Sequence, residues 1–126
     1  MPKEIIQSPS LSRAVGPYSP AVKVGPLLFV SGQIPVDAAG LRIAGGAGKE
    51  TERCLENLKA VLEAAGASLD HVVKVTVYMT DLADYKFMNM AYEKFFTSNF
   101  PARSTVGVAK LPKDVHVEID AIAVIA

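Results

Sequence analysis

One arginine in the sequence is well placed to grip a carboxylate. Arg103 follows Pro101 and Ala102, and the proline holds the backbone extended, so the arginine enters its predicted strand in a fixed direction. A guanidinium offers a planar fork of donors that binds a carboxylate through two hydrogen bonds and stays charged at physiological pH. Two acids, Glu118 and Asp120, stand on the next predicted strand. Spacing alone favours a structural salt bridge from Arg103 to one of them over a substrate grip.

The other reactive side chains form no recognisable catalytic or metal-binding pattern. His71 and His116 are far apart and lack zinc-type spacing to a cysteine or an acid cluster, so we expect no metal. Cys54 lies beside the apolar stripe of a predicted helix without a basic neighbour, which favours a small hydrophobic role. A glycine-rich phosphate loop with lysine and a Gly-x-Ser-x-Gly elbow are both missing. Nucleophilic catalysis therefore has little support.

Length, composition and charge limit the class of protein. The chain has 126 residues, half of them apolar, so we expect one domain over residues 1–126 with its own core. Its formal net charge is zero and its basic residues are mixed with acids, which predicts neither a nucleic-acid partner nor an anionic membrane partner. The single cysteine, the apparent lack of a signal peptide and the absence of any long apolar run suggest a cytoplasmic protein. Its partners are then small molecules or proteins.

The apolar residues alternate in some segments and recur at helical spacing in others. The predicted strands are Lys3–Gln7, Ala21–Val24, Leu27–Ser31, His71–Thr80, Arg103–Val108 and Val115–Ile125, with a hairpin turn at Gly25-Pro26. The predicted helices are Thr51–Ala65 and a second one that carries Met88, Ala91, Tyr92 and Phe95 on one face and is followed by Pro101. The order of strands, helix, strand, helix, strands predicts an α+β fold, with both helices on one face of a mixed sheet.

Alternation along the last two strands assigns the candidate residues to faces. Arg103 and Thr105 share one face of their strand, and Glu118 lies on the face of the last strand opposite its apolar row. The face of the sheet without helices is not fully polar, because Ile122 and Val124 fall on it. A face of this character is usually covered by another subunit, so we expect a homo-oligomer.

Six blocks of sequence, spread over nearly the whole chain, resemble the RidA/YjgF family in order and spacing. They are Gly16-Pro17-Tyr18-Ser19, Ser31-Gly32-Gln33-Ile34-Pro35, Tyr85 to Phe96 with Asn89, Phe100-Pro101-Ala102-Arg103-Ser104, Leu111-Pro112-Lys113 and Val117-Glu118-Ile119. The run from Pro-Ala-Arg-Ser to Val-Glu-Ile resembles the family signature. The separate Ser-Gly-Gln-Ile-Pro block makes a chance match improbable.

The resemblance implies a chorismate-mutase-like α+β fold that assembles as a homotrimer, with an active site in each cleft between subunits. It also implies the reaction of a 2-iminobutanoate/2-iminopropanoate deaminase. This reaction hydrolyses 2-aminoacrylate and related 2-iminopropanoate-type acids to 2-keto acids, such as pyruvate, and ammonia, without a cofactor. Under the resemblance, Arg103 binds the substrate carboxylate and Glu118 positions the attacking water.

Five further residues receive roles from the same resemblance. The Gly32 backbone helps to hold the water, Ser31 lies beside it, Tyr18 and Asn89 line the pocket, and the Thr105 backbone contacts the ligand. Without the resemblance, Ser31 and Gly32 are typical of a turn, Tyr18 of a hairpin cap and Asn89 of an exposed helix position.

Two positions depart from the family pattern, and several functions stay open. Thr105 stands where some members have cysteine, so catalysis should not depend on sulfur, and Gly107 stands where relatives carry a bulkier residue, which leaves the substrate range open. Other functions are a deaminase for a different enamine acid, such as an aminomuconate, and a non-catalytic ligand-binding or chaperone-like trimer. The ribonuclease activity attributed to the family is disfavoured by the zero net charge. Arg103 and Glu118 together favour the deaminase.

Overall fold

A computed structural model describes residues 1–11 and 15–125 and shows the strands and helices in the predicted order. The strands are β1 (Glu4–Ile6), β2 (Ala21–Val24), β3 (Leu27–Gln33), β4 (Val72–Met79), β5 (Ala102–Gly107) and β6 (Val117–Val124), and the helices are α1 (Gly46–Ala64) and α2 (Tyr85–Tyr92). Short 3-10 turns lie at Leu69–His71, Leu82–Asp84 and Pro112–Asp114. The α+β class is confirmed.

The six strands form one mixed sheet in the order β1-β2-β3-β6-β4-β5. The β2–β3 hairpin turns at Gly25, whose φ of 58° is a conformation that glycine adopts without strain. Every neighbouring pair is antiparallel except β4 and β5, which are parallel. Strand β4 therefore separates β5, which carries Arg103, from β6, which carries Glu118.

Both helices pack on one face of the sheet, where the hydrophobic core lies. Leu55, Leu58 and Leu62 of α1 are fully buried, together with Val77 and Ile119 from the middle of the sheet. This is the expected arrangement for an amphipathic helix whose apolar stripe faces an alternating strand pattern.

Cys54 belongs to the same core, as the sequence predicted. Its side chain is buried, and its Sγ lies 3.5 Å from the carbonyl oxygen of Val117. Burial raises the pKa of the Cys54 thiol well above its ordinary value, with the charges of Glu50 and Glu118 adding to the effect. The thiol is therefore protonated and inert.

The helices differ from the predicted ones at their ends. Helix α1 begins five residues before Thr51, because Gly45 and Gly46, with φ of 131° and 83°, turn the chain into it. Glycine is a poor helix former, so helical periodicity does not reveal this start. Helix α2 ends at Tyr92, and Phe95 packs against the core from the turn that follows.

A buried carboxylate joins α1 to the beginning of β6. Glu50 is 1% exposed, and its Oε1 accepts hydrogen bonds from the backbone N–H of His116 at 2.7 Å and of Val117 at 3.3 Å. Its Oε2 lies 2.7 Å from His116 Nδ1 and 3.7 Å from Arg42 Nη2. The sequence did not reveal this cluster, because its members are distant in the chain. These contacts fix the beginning of β6, and Glu118 follows His116 by two residues.

The other face of the sheet has no helix on it and is half apolar. Ile5, Leu27 and Phe29 are each about two-fifths exposed there, which confirms that this face is not fully polar. The same face also carries polar side chains, and the Tyr78 hydroxyl of β4 donates to Asp120 Oδ2 of β6 at 2.9 Å. We call this surface the bare face. Within the described part of the chain, no helix is both long and apolar enough to cross a membrane.

Candidate active site

Arg103 lies on the helix-covered face at the β5 edge, between aromatic side chains of α2. Its backbone is paired with Val75 in the register of β4 and β5. Nη2 donates to the Tyr85 hydroxyl at 2.8 Å, and Nη1 lies 3.9 Å from Met88 Sδ. The guanidinium carbon is 4.7 Å from the ring centre of Tyr92 and 5.6 Å from that of Tyr85. These cation–π contacts orient the side chain without neutralising its charge.

The salt bridge that the spacing favoured is not formed. Adjacent strands lie about 4.8 Å apart, so β5 and β6, with β4 between them, are separated by roughly 10 Å. Glu118 is paired with Tyr78 on the bare face, whereas Arg103 points to the helix side. Among the residues that the structure describes, no acid forms an ion pair with Arg103. The fork is available to an anionic ligand.

Asn89 and Thr105 lie on the same side of the sheet as Arg103. The pKa of Tyr85 is lowered, first by interaction with the Asn89 side chain and then by the charge of Arg103. Thr105 is paired with Val77 and shares the face of Arg103, as alternation predicted.

Glu118 is a half-buried carboxylate on the bare face. Burial raises its pKa, and the negative charge of Asp120 raises it further. None of the described residues hydrogen-bonds or ion-pairs with this carboxylate. A carboxylate whose pKa is raised accepts a proton more readily than an ordinary glutamate, and its oxygens can hold a water molecule.

Gly32 packs directly against Glu118. A Cβ at position 32 would overlap Glu118 Oε2 and lie 2.8 Å from Cδ, so only glycine allows the carboxylate its observed position. The resemblance connected these two residues, and the structure brings them into contact.

A β-bulge in β3 produces this contact. Val30 is paired with Ala121 and Gln33 with Ile119, so three steps along β3 match two along β6. The extra residue breaks the alternation and turns the Gly32 position towards the Glu118 side. The predicted strand ended at Ser31, because Ser-Gly is typical of a turn, whereas β3 continues to Gln33.

Ser31 anchors the segment that carries Tyr18. Its Oγ donates to the Ser19 carbonyl at 2.6 Å, and its backbone N–H donates to Pro20 at 3.0 Å. Tyr18 is about half exposed. A cavity of about 480 Å³ opens beside it, with lining residues that include Tyr18, Gly32, Gln33, Arg53, Asn57 and Lys113.

The predicted site residues fall into two groups, and Arg103 and Glu118 lie on opposite sides of the sheet. The first, which we call the arginine half, consists of Arg103, Asn89 and Thr105. The second, which we call the glutamate half, consists of Glu118 and Gly32 in direct contact, with Ser31 next to Gly32 and Tyr18 in the segment that Ser31 anchors. Since Arg103 and Glu118 point away from each other, the two halves of one chain cannot contact the same small ligand.

The side chains that hold Arg103 were not among the predicted site residues. Tyr85, Met88 and Tyr92 stand at i, i+3 and i+7, so they share one face of α2. Met88 and Tyr92 were assigned to the core and are indeed buried, but both also contact the guanidinium. A search for aromatic residues at helical spacing near the arginine strand would have found Tyr85 and Tyr92.

The departure at Gly107 has a local explanation. A Cβ at this position would lie 3.2 Å from the side chain of Leu82, so a bulkier residue would have to displace that leucine. In the described part of the chain, no three histidine, cysteine, aspartate or glutamate residues cluster so as to hold a metal ion.

The chain is similar to known proteins over nearly its whole length. The family model described as endoribonuclease L-PSP matches residues 8–125. A RutC family protein of Pyrococcus abyssi is 50% identical over 98% of both chains. A 2-iminobutanoate/2-iminopropanoate deaminase of Salmonella typhimurium is 48% identical over 88% of this chain and 89% of its own. The crystal structure of E. coli TdcF with bound serine superposes with a TM-score of 0.92 and 42% identity, covering 98% of this chain and 99% of that one.

The contact between Gly32 and Glu118 predicts how a single methyl group acts. In Gly32→Ala the far end of the glutamate must move towards solvent, so the pKa of Glu118 should fall towards its ordinary value, as followed by NMR titration of the carboxyl carbon. The free energy of unfolding should change by less than about 1 kcal/mol, because only a flexible side chain moves. Gly48→Ala, whose Cβ meets only an ordinary contact at 3.6 Å, is the control. A Gly32→Ala protein in which the pKa of Glu118 stays raised would contradict this account.

Proposed function

Because the chain belongs to the RidA/YjgF family, we propose that it is a cytoplasmic, homotrimeric deaminase of small 2-imino and 2-enamino acids. It would hydrolyse 2-aminoacrylate, through its tautomer 2-iminopropanoate, to pyruvate and ammonia. This is the activity of a 2-iminobutanoate/2-iminopropanoate deaminase. The proposal requires no cofactor.

The observation that carries the proposal is the state of Arg103. Its guanidinium is held by two tyrosine rings and a hydroxyl, and no acid of the described chain pairs with it. A partly buried cation without a counter-ion is a strong site for a carboxylate, which can take two hydrogen bonds from the fork. Small 2-imino acids and their 2-keto acid products carry such a carboxylate.

A second copy of the chain would supply the missing carboxylate base. The two halves of the site cannot meet within one chain, and the bare face carries both the Glu118 carboxylate and exposed apolar side chains such as Phe29. Packing the bare face of one subunit against the β5 edge of the next would cover these side chains and bring a glutamate half to an arginine half. A cyclic trimer would then contain three equivalent sites.

The chemistry needs little beyond positioning. The protonated imine carbon is already electrophilic, and Arg103 fixes it by its carboxylate. Glu118 accepts a proton as the oxygen of a water molecule bonds to that carbon, which forms a carbinolamine. Glu118 returns this proton to the nitrogen, and as the carbon–nitrogen bond breaks Glu118 takes the hydroxyl proton, so that the carbonyl of the keto acid forms. That proton then passes to the departing ammonia, which leaves as ammonium. One water is consumed, and no electrons are transferred.

The relatives support this assignment. The Salmonella typhimurium protein that is 48% identical bears the name of the deaminase, and the E. coli TdcF structure contains serine, an amino acid with the same carboxylate group. The family description also mentions an endoribonuclease, but the zero net charge of this chain does not favour an RNA substrate.

Replacement of Arg103 tests the carboxylate grip. A hydrogen bond to a charged group contributes about 1.5 to 3 kcal/mol, so kcat/KM of Arg103→Ala for 2-aminoacrylate generated in the assay should fall at least about tenfold. Arg103→Lys should recover little of this, because a point charge does not reproduce the fork. Size-exclusion chromatography would verify that the assembly is intact. Full hydrolysis by Arg103→Ala would refute the role.

The raised pKa of Glu118 predicts the pH dependence. The carboxylate acts as a base only when ionised, so kcat/KM should fall as the pH drops through the raised pKa, above the ordinary glutamate value of about 4.3. Asp120→Asn removes the neighbouring negative charge and should move this acid limb to lower pH, whereas the exposed Asp114→Asn should leave it in place. If the pH at which kcat/KM falls is the same in Asp120→Asn as in the wild type, Glu118 is not the titrating group.

A further inference from the structure

Tyr85 has a relation to Arg103 that the proposed reaction does not use. Its hydroxyl oxygen lies 2.8 Å from Arg103 Nη2, and its ring centre is 5.6 Å from the guanidinium carbon. The Tyr85 side chain is 43% exposed, so it lies at the surface of the arginine half and not in the core.

The Tyr85 oxygen accepts a hydrogen bond from Arg103. Arg103 is a donor only, so the phenol oxygen accepts from Nη2 at 2.8 Å. This contact restrains the rotation of the guanidinium. The pKa of Tyr85 is lowered, with the Asn89 side chain as the first cause and the charge of Arg103 as the second.

The opposite side of the guanidinium is also restrained. Tyr92 lies about two helical turns after Tyr85 in α2, and its ring centre is 4.7 Å from the guanidinium carbon. Ring stacking restricts tilting of the guanidinium plane, but it leaves rotation within that plane free. The hydroxyl of Tyr85 is the contact that selects one in-plane orientation, and thus decides which donors face the ligand.

We infer that Tyr85 is a positioning residue, which presets the Arg103 fork for a carboxylate. This inference deepens the proposed function and rests on it only for the identity of the acid. A preset fork loses less conformational entropy when it binds, and this raises its affinity.

The first test measures equilibrium binding of pyruvate, the product of the proposed reaction. Tyr85→Phe keeps the ring and removes the hydroxyl, so the Kd for pyruvate should rise roughly fivefold, as expected when one further side chain must be ordered on binding. Lys86→Gln, at the exposed neighbouring position, should stay within about twofold of the wild type. Wild-type or tighter binding by Tyr85→Phe would overturn the inference.

The second test uses pH, which a merely structural role would not change. Ionisation of Tyr85 places a negative charge against Arg103, so pyruvate binding should weaken at alkaline pH with a midpoint below about 10, the ordinary tyrosine value. Arg103 is the charged group that acts on Tyr85. The pKa of Tyr92, the other tyrosine against Arg103, is raised by burial, so it would ionise later. The limb should vanish in Tyr85→Phe, and its persistence there would contradict the inference.

The two proposals can fail separately. A wild type that binds pyruvate as described but does not hydrolyse the imine would refute the deaminase and leave the role of Tyr85 standing. If hydrolysis depends on Arg103 but KM and kcat are the same in wild type and Tyr85→Phe, the deaminase stands and the role of Tyr85 is refuted. A wild type that neither binds pyruvate nor hydrolyses the imine would overturn both.

Discussion

The position of β4 between β5 and β6 is the constraint on which the site depends. It inserts a whole strand between the arginine and the glutamate, and the register places Arg103 on the helix side and Glu118 on the bare face. Each residue is thereby kept from the charge that would otherwise neutralise it. A chain with β5 beside β6 could close a cross-strand ion pair and would have no free fork. Under the proposed function, this separation leaves each half to be completed by the ligand and a second subunit.

Local packing sets a different property in each half: the orientation of Arg103 in one and the ease of ionisation of Glu118 in the other. On the arginine side, aromatic rings and a phenol hydroxyl hold Arg103, so its orientation is fixed while its charge stays available. On the glutamate side, partial burial and the nearby Asp120 charge make ionisation of Glu118 less favourable, which raises its basicity. Both depend on local packing: the spacing along α2 in one case, and the bulge that places Gly32 against the carboxylate in the other.

Much of the fold could be predicted from the sequence, because it depends on local periodicity. Alternation defined the strands and assigned Arg103 and Thr105 to one face, and helical spacing located both helices. The order of strands in the sheet could not be predicted in this way, since sequence neighbours such as β5 and β6 need not pair. For the same reason spacing favoured a salt bridge that is not formed. The bulge at Gly32 and the tyrosines around Arg103 depend on contacts between distant segments, and only the family resemblance indicated that Gly32, Asn89 and Glu118 belong to a site.

The central claim is that one catalytic site combines Arg103 of one subunit with Glu118 of another. The most direct measurement is complementation between two inactive variants, Arg103→Ala and Glu118→Gln, unfolded together at equal concentrations and refolded so that subunits mix. In a cyclic trimer, random mixing leaves about a quarter of the sites with both native residues, so imine hydrolysis should return to roughly a quarter of the wild-type rate. Each variant refolded alone should stay inactive. If the mixture remains as inactive as its parents while size-exclusion chromatography shows that mixed trimers form, the two residues act within one chain and the account is wrong.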